Sequence, residues 1–356
     1  MTAVVDIHNH AIPVGFIDRV RDEGPRYGYT LSKPGPGKER AAKDAWQLEG
    51  LEELTTPDGA VTDLRPRRID ETVRQEELLA SSIDMCCESL TPKVMAYSAE
   101  EAQAVWAARA INDGFAENMA AWPERVSPAA HVPLQAPVAA ANELERAVGE
   151  LGLRCVQIAS NVNGKNLDEP ELDPFWAAAE GLGVLVLVHP ATGSAHAPGM
   201  KSRLGKYHLI NLIGNPLETS IALASVIFGG VLHRFPRLVM CFAHAGGCAP
   251  WIRGRWRHGH EVRKETRAGG AVDPFDEYFS RVYFDTIIHD EQALQFLVQT
   301  VGADKVLFGT DYAADMGDWR HVAVLRGSSG LSDEDKANIL GGNALRLLGG
   351  GSKPSH

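Results

Sequence analysis

Gly183-Val184-Leu185-Val186-Leu187-Val188-His189-Pro190 sets five consecutive apolar side chains between a glycine and a histidine. A strand with one wet face alternates polar and apolar residues. This one does not, so it reads as a strand buried on both faces, as in a parallel sheet covered by helices. Short runs of the same kind occur at 4–8, 83–89, 126–132, 154–159, 238–244, 282–286 and 305–310. Helical patterns lie between them. One carries Ala108, Ile111, Phe115, Met119 and Trp122 behind a capping box from Ser98 to Glu101, and another Ala140, Leu144, Ala147 and Leu151. Strand and helix alternating eight times predict an α/β protein, a (β/α)8 TIM barrel. A doubly wound open sheet fits less well, because no Gly-x-Gly-x-x-Gly follows the first strand.

Residues 1–348 are expected to form a single barrel domain, with 349–356 as a disordered tail. Two stretches break the alternation. Residues 13–68, rich in Gly, Pro and charge, read as a small insertion after strand 1 over the barrel mouth. Residues 191–216, which hold four glycines and two prolines, read as a long lid loop after the fifth strand. The 356 residues are 44% hydrophobic and 23% charged, ordinary for a globular enzyme, and a net charge of −11 disfavours nucleic acid and anionic membrane as partners. Four of the five cysteines (Cys86, Cys87, Cys155, Cys241) lie in or beside apolar runs, with Cys248 as the fifth. None is spaced Cys-x-x-Cys, which suits buried thiols in a reducing compartment. With no secretory n-region and no run of membrane-spanning length, a cytoplasmic location is expected.

The chemistry sits where the strand runs stop. His8-Asn9-His10 closes the first, His189 the fifth, Phe242-Ala243-His244-Ala245-Gly246-Gly247 the sixth and Phe308-Gly309-Thr310-Asp311-Tyr312 the eighth. The carboxyl ends of barrel strands converge on one face, so these groups from four distant segments meet there. His8, His10, His189 and Asp311 form a nitrogen-rich set with one carboxylate, which suits Zn2+ with a position left for water. His244 reads as the general acid/base beside them. His131, at the end of the third strand, is held as a further group facing the mouth. His196 and His208 fall on the lid, and His233, His258, His260, His289 and His321 read as surface groups.

These motifs and their order resemble the amidohydrolase superfamily, and within it the 2-amino-3-carboxymuconate 6-semialdehyde decarboxylase family. Its specific pieces here are Pro133-Leu134-Gln135-Ala136-Pro137, Glu150-Leu151-Gly152 through Val156-Gln157-Ile158, Gly229-Gly230-Val231 with Phe235-Pro236-Arg237-Leu238, the His244 loop, Gly254-Arg255 and Gly309-Thr310-Asp311-Tyr312. The resemblance implies one Zn2+ per chain on His8, His10, His189 and Asp311, with His244 activating the metal-bound water. Two-metal members bridge their ions with a carboxylated lysine or a glutamate near the end of strand four, whereas strand four here, Arg154 to Ser160, holds no lysine and the next is Lys165 in the following loop. It further implies that Arg65 and Arg255 hold a substrate carboxylate, Arg255 across a homodimer interface. Where that family has tryptophans, this chain carries His208 and Asn211 near Tyr207, and Ala313-Ala314 follow Tyr312, so the pocket wall differs and His208 and Asn211 become candidate substrate contacts. The function implied is metal-dependent non-oxidative decarboxylation of a small unsaturated or aromatic carboxylic acid, with catalysis by His244 and Asp311. A hydrolase or hydratase acting through the same metal site is the alternative.

Overall fold

The computed structural model describes residues 2–34, 51–190 and 200–349. Residues 35–50 of the expected insertion, 191–199 of the expected lid with His196, and the expected tail beyond Gly349 lie outside the described residues.

Eleven strands are described: β1 (Val5–Ala11), β2 (Thr30–Ser32), β3 (Glu53–Thr55), β4 (Val61–Asp63), β5 (Met85–Leu90), β6 (Ala129–His131), β7 (Cys155–Ala159), β8 (Leu185–His189), β9 (Val239–Phe242), β10 (Tyr283–Asp285) and β11 (Val306–Leu307). β6 to β11 pair in sequence order as one parallel sheet, and β1 pairs with β5 in parallel. The two pieces join at both edges. Cys86 bridges to Val126, with Cys86 N donating to Arg125 O at 2.8 Å. Asn9 bridges to Tyr312, Ile7 N donates to Phe308 O at 2.9 Å and Asp311 N to His8 O at 2.8 Å. Eight parallel strands thus close into the barrel that the alternating runs predict, and all eight fall inside those runs or overlap them. β7 and β8 are buried along their whole length, as continuous apolar runs require. Ile7, Cys87, Ala129, Cys155, Leu187, Cys241 and Leu307 fill the barrel interior, while a larger core lies between strands and helices.

Several local features differ from expectation. The helix Glu101–Ala121 is capped by Glu100, whose capping box uses Gln103, so the box lies two residues later than Ser98 suggests. The stretch after β1 forms the helix Val14–Glu23 and the antiparallel sheet β2-β3-β4. Leu54 of β3 is fully buried and anchors that sheet to the core. Part of the expected lid is regular: Met200–Leu204 is helical, and a π-turn at Ile210–Gly214 runs into the helix Asn215–Phe228. Ile210–Phe228 is also 19 residues of mean hydropathy 1.2, long and apolar enough to cross a membrane, contrary to the sequence reading. Its buried Ala222, Leu223, Val226 and Ile227 pack in the protein core, the pattern of an amphipathic core helix. His260 and His321 are buried rather than on the surface, because His260 Nε2 donates to Ala271 O at 2.8 Å and His321 stacks on Phe308.

Candidate metal centre

The pairing of β1 with β5 slips between Asp6 and Asn9. A bulge re-aims side chains, and here it lies at the residues that bring both His8 and His10 into the barrel. Their Nε2 atoms are 3.2 Å apart, and Asp311 Oδ1 lies 3.5 Å from the first and 3.2 Å from the second. The His189 ring centroid is 5.0 Å from that of His8 and 4.9 Å from that of His10. The His244 ring lies 5.2 Å from His8 and 5.3 Å from His189. One ligand atom from each of His8, His189, His244 and Asp311 falls within 4.8 Å of the others. The structure therefore brings all five strand-end groups together. His8, His10, His189 and Asp311 are buried, His244 partly so.

Hydrogen bonds on the outer side of each ring fix its inner side. His8 Nδ1 lies 2.7 Å from Asp285 Oδ2, an acceptor. His189 Nδ1 lies 2.9 Å from the carbonyl of Pro190, which also only accepts. Ser89 spends its proton on Asn9 O at 3.0 Å, so its oxygen accepts from His10 Nδ1 at 3.2 Å. In each case Nδ1 carries the proton and Nε2 presents a lone pair inward. Three lone pairs and a carboxylate converging in a buried space repel one another unless a cation lies among them, so the residues fit a divalent metal. His244 Nδ1 is buried without a hydrogen-bond partner among the described residues, so nothing fixes its tautomer and it is free to exchange a proton.

The electrostatics follow from burial and charge. Burial pushes His10 and His189 below the ordinary histidine value, and His244 down to about 4 with the His8 ring adding to it. Burial would also lower His8, but the Asp285 carboxylate outweighs it and raises the ring. Burial would raise Asp311, yet the adjacent His10 ring, and then those of His8 and His244, hold it well below the usual carboxylate range wherever they carry a proton on the inner side. The backbone at the site is left-handed at His244, Ala245 and Asp311, with φ of 53°, 53° and 59°. Such conformations cost free energy and persist where surrounding bonds impose them. Gly247, at φ 65°, completes the His244 turn, and a side chain there would collide with the Pro216 carbonyl.

Asp285 is the group that the sequence reading missed. Its Oδ2 accepts from His8 Nδ1 and from His244 N at 2.9 Å; its Oδ1 accepts from Ala245 N at 2.7 Å and Ile287 N at 3.1 Å. One buried carboxylate thus orients His8 and holds the turn that presents His244. A polar residue at the end of Val282-Tyr283-Phe284 carries the same signal as the histidines did.

None of the other candidates lines the cavity at this cluster or belongs to its group of ligand atoms. Arg65 Nε pairs with Asp63 Oδ2 at 2.6 Å. Arg255 is exposed on the helix Ala249–Val262, with no ion pair or hydrogen bond to a described residue. His208 is exposed at φ 58°, and Asn211, half-buried, lies in the π-turn. A small cavity opens at the cluster, lined by His8, His10, His189 and Asp285 with Ser89, Gln157 and apolar Ile7, Leu187 and Val188 among others.

A closed parallel barrel with histidines and an aspartate at its strand ends defines a metal-dependent barrel enzyme. The family model described as Amidohydrolase matches residues 5–350, and the chain belongs to that family. Among curated relatives, the 2-amino-3-carboxymuconate-6-semialdehyde decarboxylase of Dictyostelium discoideum is 39% identical over 79% of this chain and 77% of its own length. The gamma-resorcylate decarboxylase of a Polaromonas species is 27% identical over 82% and 91%. The crystal structure of 5-carboxyvanillate decarboxylase from Sphingomonas paucimobilis superposes with a TM-score of 0.79 at 23% identity, covering 99% of this chain and 100% of that one.

Proposed function

We infer that this protein is a metal-dependent carboxy-lyase that removes CO2 from a small aromatic or unsaturated carboxylic acid without oxidation. The observation that carries the reading is the convergence of three Nε2 lone pairs and Asp311, with His244 alone beside them lacking a fixed tautomer. Relatives named as decarboxylases support the reaction class. His8, His10, His189 and Asp311 would hold one divalent ion. Zn2+ suits this nitrogen-rich set, and Mn2+, present in three of the neighbouring crystal structures, is the competing ion. A bound divalent ion supplies Lewis acidity toward the substrate's oxygens.

The chain's own groups do the rest. Arg65 and Arg255 orient the carboxylate, and guanidinium suits that task through paired hydrogen bonds. His244, or Asp311 beside it, takes up a proton from solvent and delivers it to the carbon that bears the carboxylate. The carbon–carboxylate bond then breaks, its electron pair returns to the ring or diene, and CO2 leaves. No redox cofactor enters the balance. His208 and Asn211 belong to the wall that selects the rest of the substrate.

Arg255 has no partner in its own chain among the described residues, and exposed Trp251 lies one helical turn before it. Both features support a homodimer in which Arg255 reaches the neighbouring site. We place the enzyme in the cytoplasm, as a domain of residues 1–348 with 13–68 as an insertion. A panel of hydroxybenzoic and muconate-like acids, followed for CO2 and for loss of ring or diene absorbance, tests the function. Release of CO2 from one or more acids, abolished by chelation and restored by metal, is expected. Metal-restored addition or loss of water without CO2 would favour a hydratase or hydrolase, and a hydratase does occur among the relatives, at 24% identity.

A further inference from the structure

Two polar atoms on one wall of the barrel are buried without partners. His131 ends β6, Gln157 lies in β7, and the two face each other in register. Neighbours in register on adjacent strands point to the same side of a sheet. Gln157 lines the cavity beside His8, His10 and His189. Its Nε2 donates to Leu90 O at 3.2 Å, which settles the orientation of the amide and leaves Oε1 as an acceptor. Neither Gln157 Oε1 nor His131 Nδ1 has a hydrogen-bond partner among the described residues.

The stagger of the barrel brings His131 to the level of the metal ligands. In an eight-stranded barrel of shear eight, positions at one height advance by about one residue per strand. The register of β8 with β9, extended by one residue, sets His189 opposite Ala243, yet the site uses His244, one residue further on. Stepping the other way, His189 pairs with Ala159, and continuing the β7–β6 register sets Ala159 opposite Pro133. Two strands and two residues back from there is His131. Its position is rigidly built. Asn112 Oδ1 accepts from His131 N at 2.8 Å, Asn112 Nδ2 donates to His131 O at 2.9 Å, and the ring stacks on Tyr97 at 6.3 Å between centroids. Tyr97 is itself tethered, its hydroxyl oxygen accepting from Ala159 N at 3.3 Å. Burial pushes His131 down to about 4, so the ring is neutral at neutral pH.

We propose that His131 and Gln157 form a specificity subsite that recognises a hydrogen-bond donor, a hydroxyl or amino group, on the unsaturated or aromatic portion of the acid. This rests on the decarboxylase reading and refines its substrate class. The amide oxygen can only accept, so the matching substituent must donate. The imidazole, donor or acceptor according to tautomer, can take the same substituent's lone pair or a second donor. Of the residues that line the cavity beside Gln157, Ile7, Leu187, Val188, Cys241 and Ala243 offer only apolar contact to a ring face, and the Ser89 hydroxyl is engaged with Asn9 and His10.

The test uses metal-loaded full-length protein and benzoic acids in pairs, one member carrying a hydroxyl or amino group and the other a methoxy or hydrogen in its place. Both kcat/KM for CO2 release and affinity by calorimetry are measured. Wild type should prefer the donor-bearing member of at least one pair. Gln157→Leu and His131→Phe, the latter retaining a ring against Tyr97, should each cut that preference by about tenfold, the value of one buried hydrogen bond. They should leave the donor-free member within about twofold, with metal content unchanged. Gln157→Met serves if the leucine variant does not fold. A parallel fall for both members, or an unchanged preference, would overturn the subsite while leaving the decarboxylase reading in place. Binding of none of the acids by wild type would overturn both.

Discussion

Asp285→Asn separates the orientation of a ligand from its identity. The amide is the same size as the carboxylate, so the barrel should still fold, but one of its two oxygens becomes an NH2 group. If that group replaces Oδ2, it faces His8 Nδ1–H and His244 N–H, both donors. His8 must then move its proton to Nε2, and a protonated nitrogen cannot ligate. If it replaces Oδ1 instead, Ala245 N and Ile287 N lose their acceptor, and the left-handed turn carrying His244 loosens. Either way two hydrogen bonds to a charged acceptor are lost, each contributing about 1.5–3 kcal/mol. Supports of this kind are typically worth about 10–100-fold in metal affinity. Competition with a chromophoric chelator should therefore show that weakening, and thermal unfolding of the metal-free protein should show a lowered Tm. A variant that binds metal within twofold of wild type would refute the claim that Asp285 sets the His8 tautomer.

Other outcomes follow from the same geometry. His189→Ala and Asp311→Ala should each lose the bound metal by elemental analysis while keeping the far-ultraviolet dichroism of the barrel. His244→Ala should keep its metal and lose about 10²–10⁴-fold in kcat; loss of metal would make His244 a ligand, a role its ring position also permits. His131 is held at about 4 in the folded state, below an unfolded value of about 6.5, so the unfolded chain takes up the proton first. Stability should thus fall as pH drops below about 6.5, at up to about 1.4 kcal/mol per pH unit from this group, and level off below about 4. Denaturant titrations of wild type and His131→Phe between pH 7.5 and 4.5 should show a shallower decline in the variant. Mixing Arg255→Ala with His244→Ala chains should restore partial activity, because one hybrid site regains both groups; no rescue despite demonstrated subunit exchange would place Arg255 outside a shared site.

What could be read in the sequence was what periodicity controls. A parallel strand buried on both faces declares itself as a continuous apolar run, and its end is marked by the first polar residue, so β8 and His189 were legible together. The same logic reached His8, His10, His244 and Asp311, which the structure brings within one cluster. It stopped short of Asp285, whose strand, Tyr283–Asp285, is too short to stand out as more than a brief apolar run. Strands of three residues likewise hide β2, β3 and β4, since alternation needs more positions to show. The half of the 191–216 stretch that proved helical was masked by its glycines and prolines, Pro216 among them at the start of a helix that tolerates it there. Arg65 illustrates the remaining limit. Its pairing with Asp63, two residues away at the end of β4, depends on backbone geometry that composition does not encode.

Decarboxylation exchanges a carboxylate for a proton at one carbon. A carboxyl-13C hydroxybenzoate, turned over in D2O by the metal-loaded enzyme and followed by NMR, reads both halves of that exchange at once. The expected result is one labelled CO2 or bicarbonate per product molecule and one deuterium at the carbon that bore the carboxylate, neither of them with metal-free protein. Label retained in the organic product, or product formed without deuterium at that carbon, would contradict it.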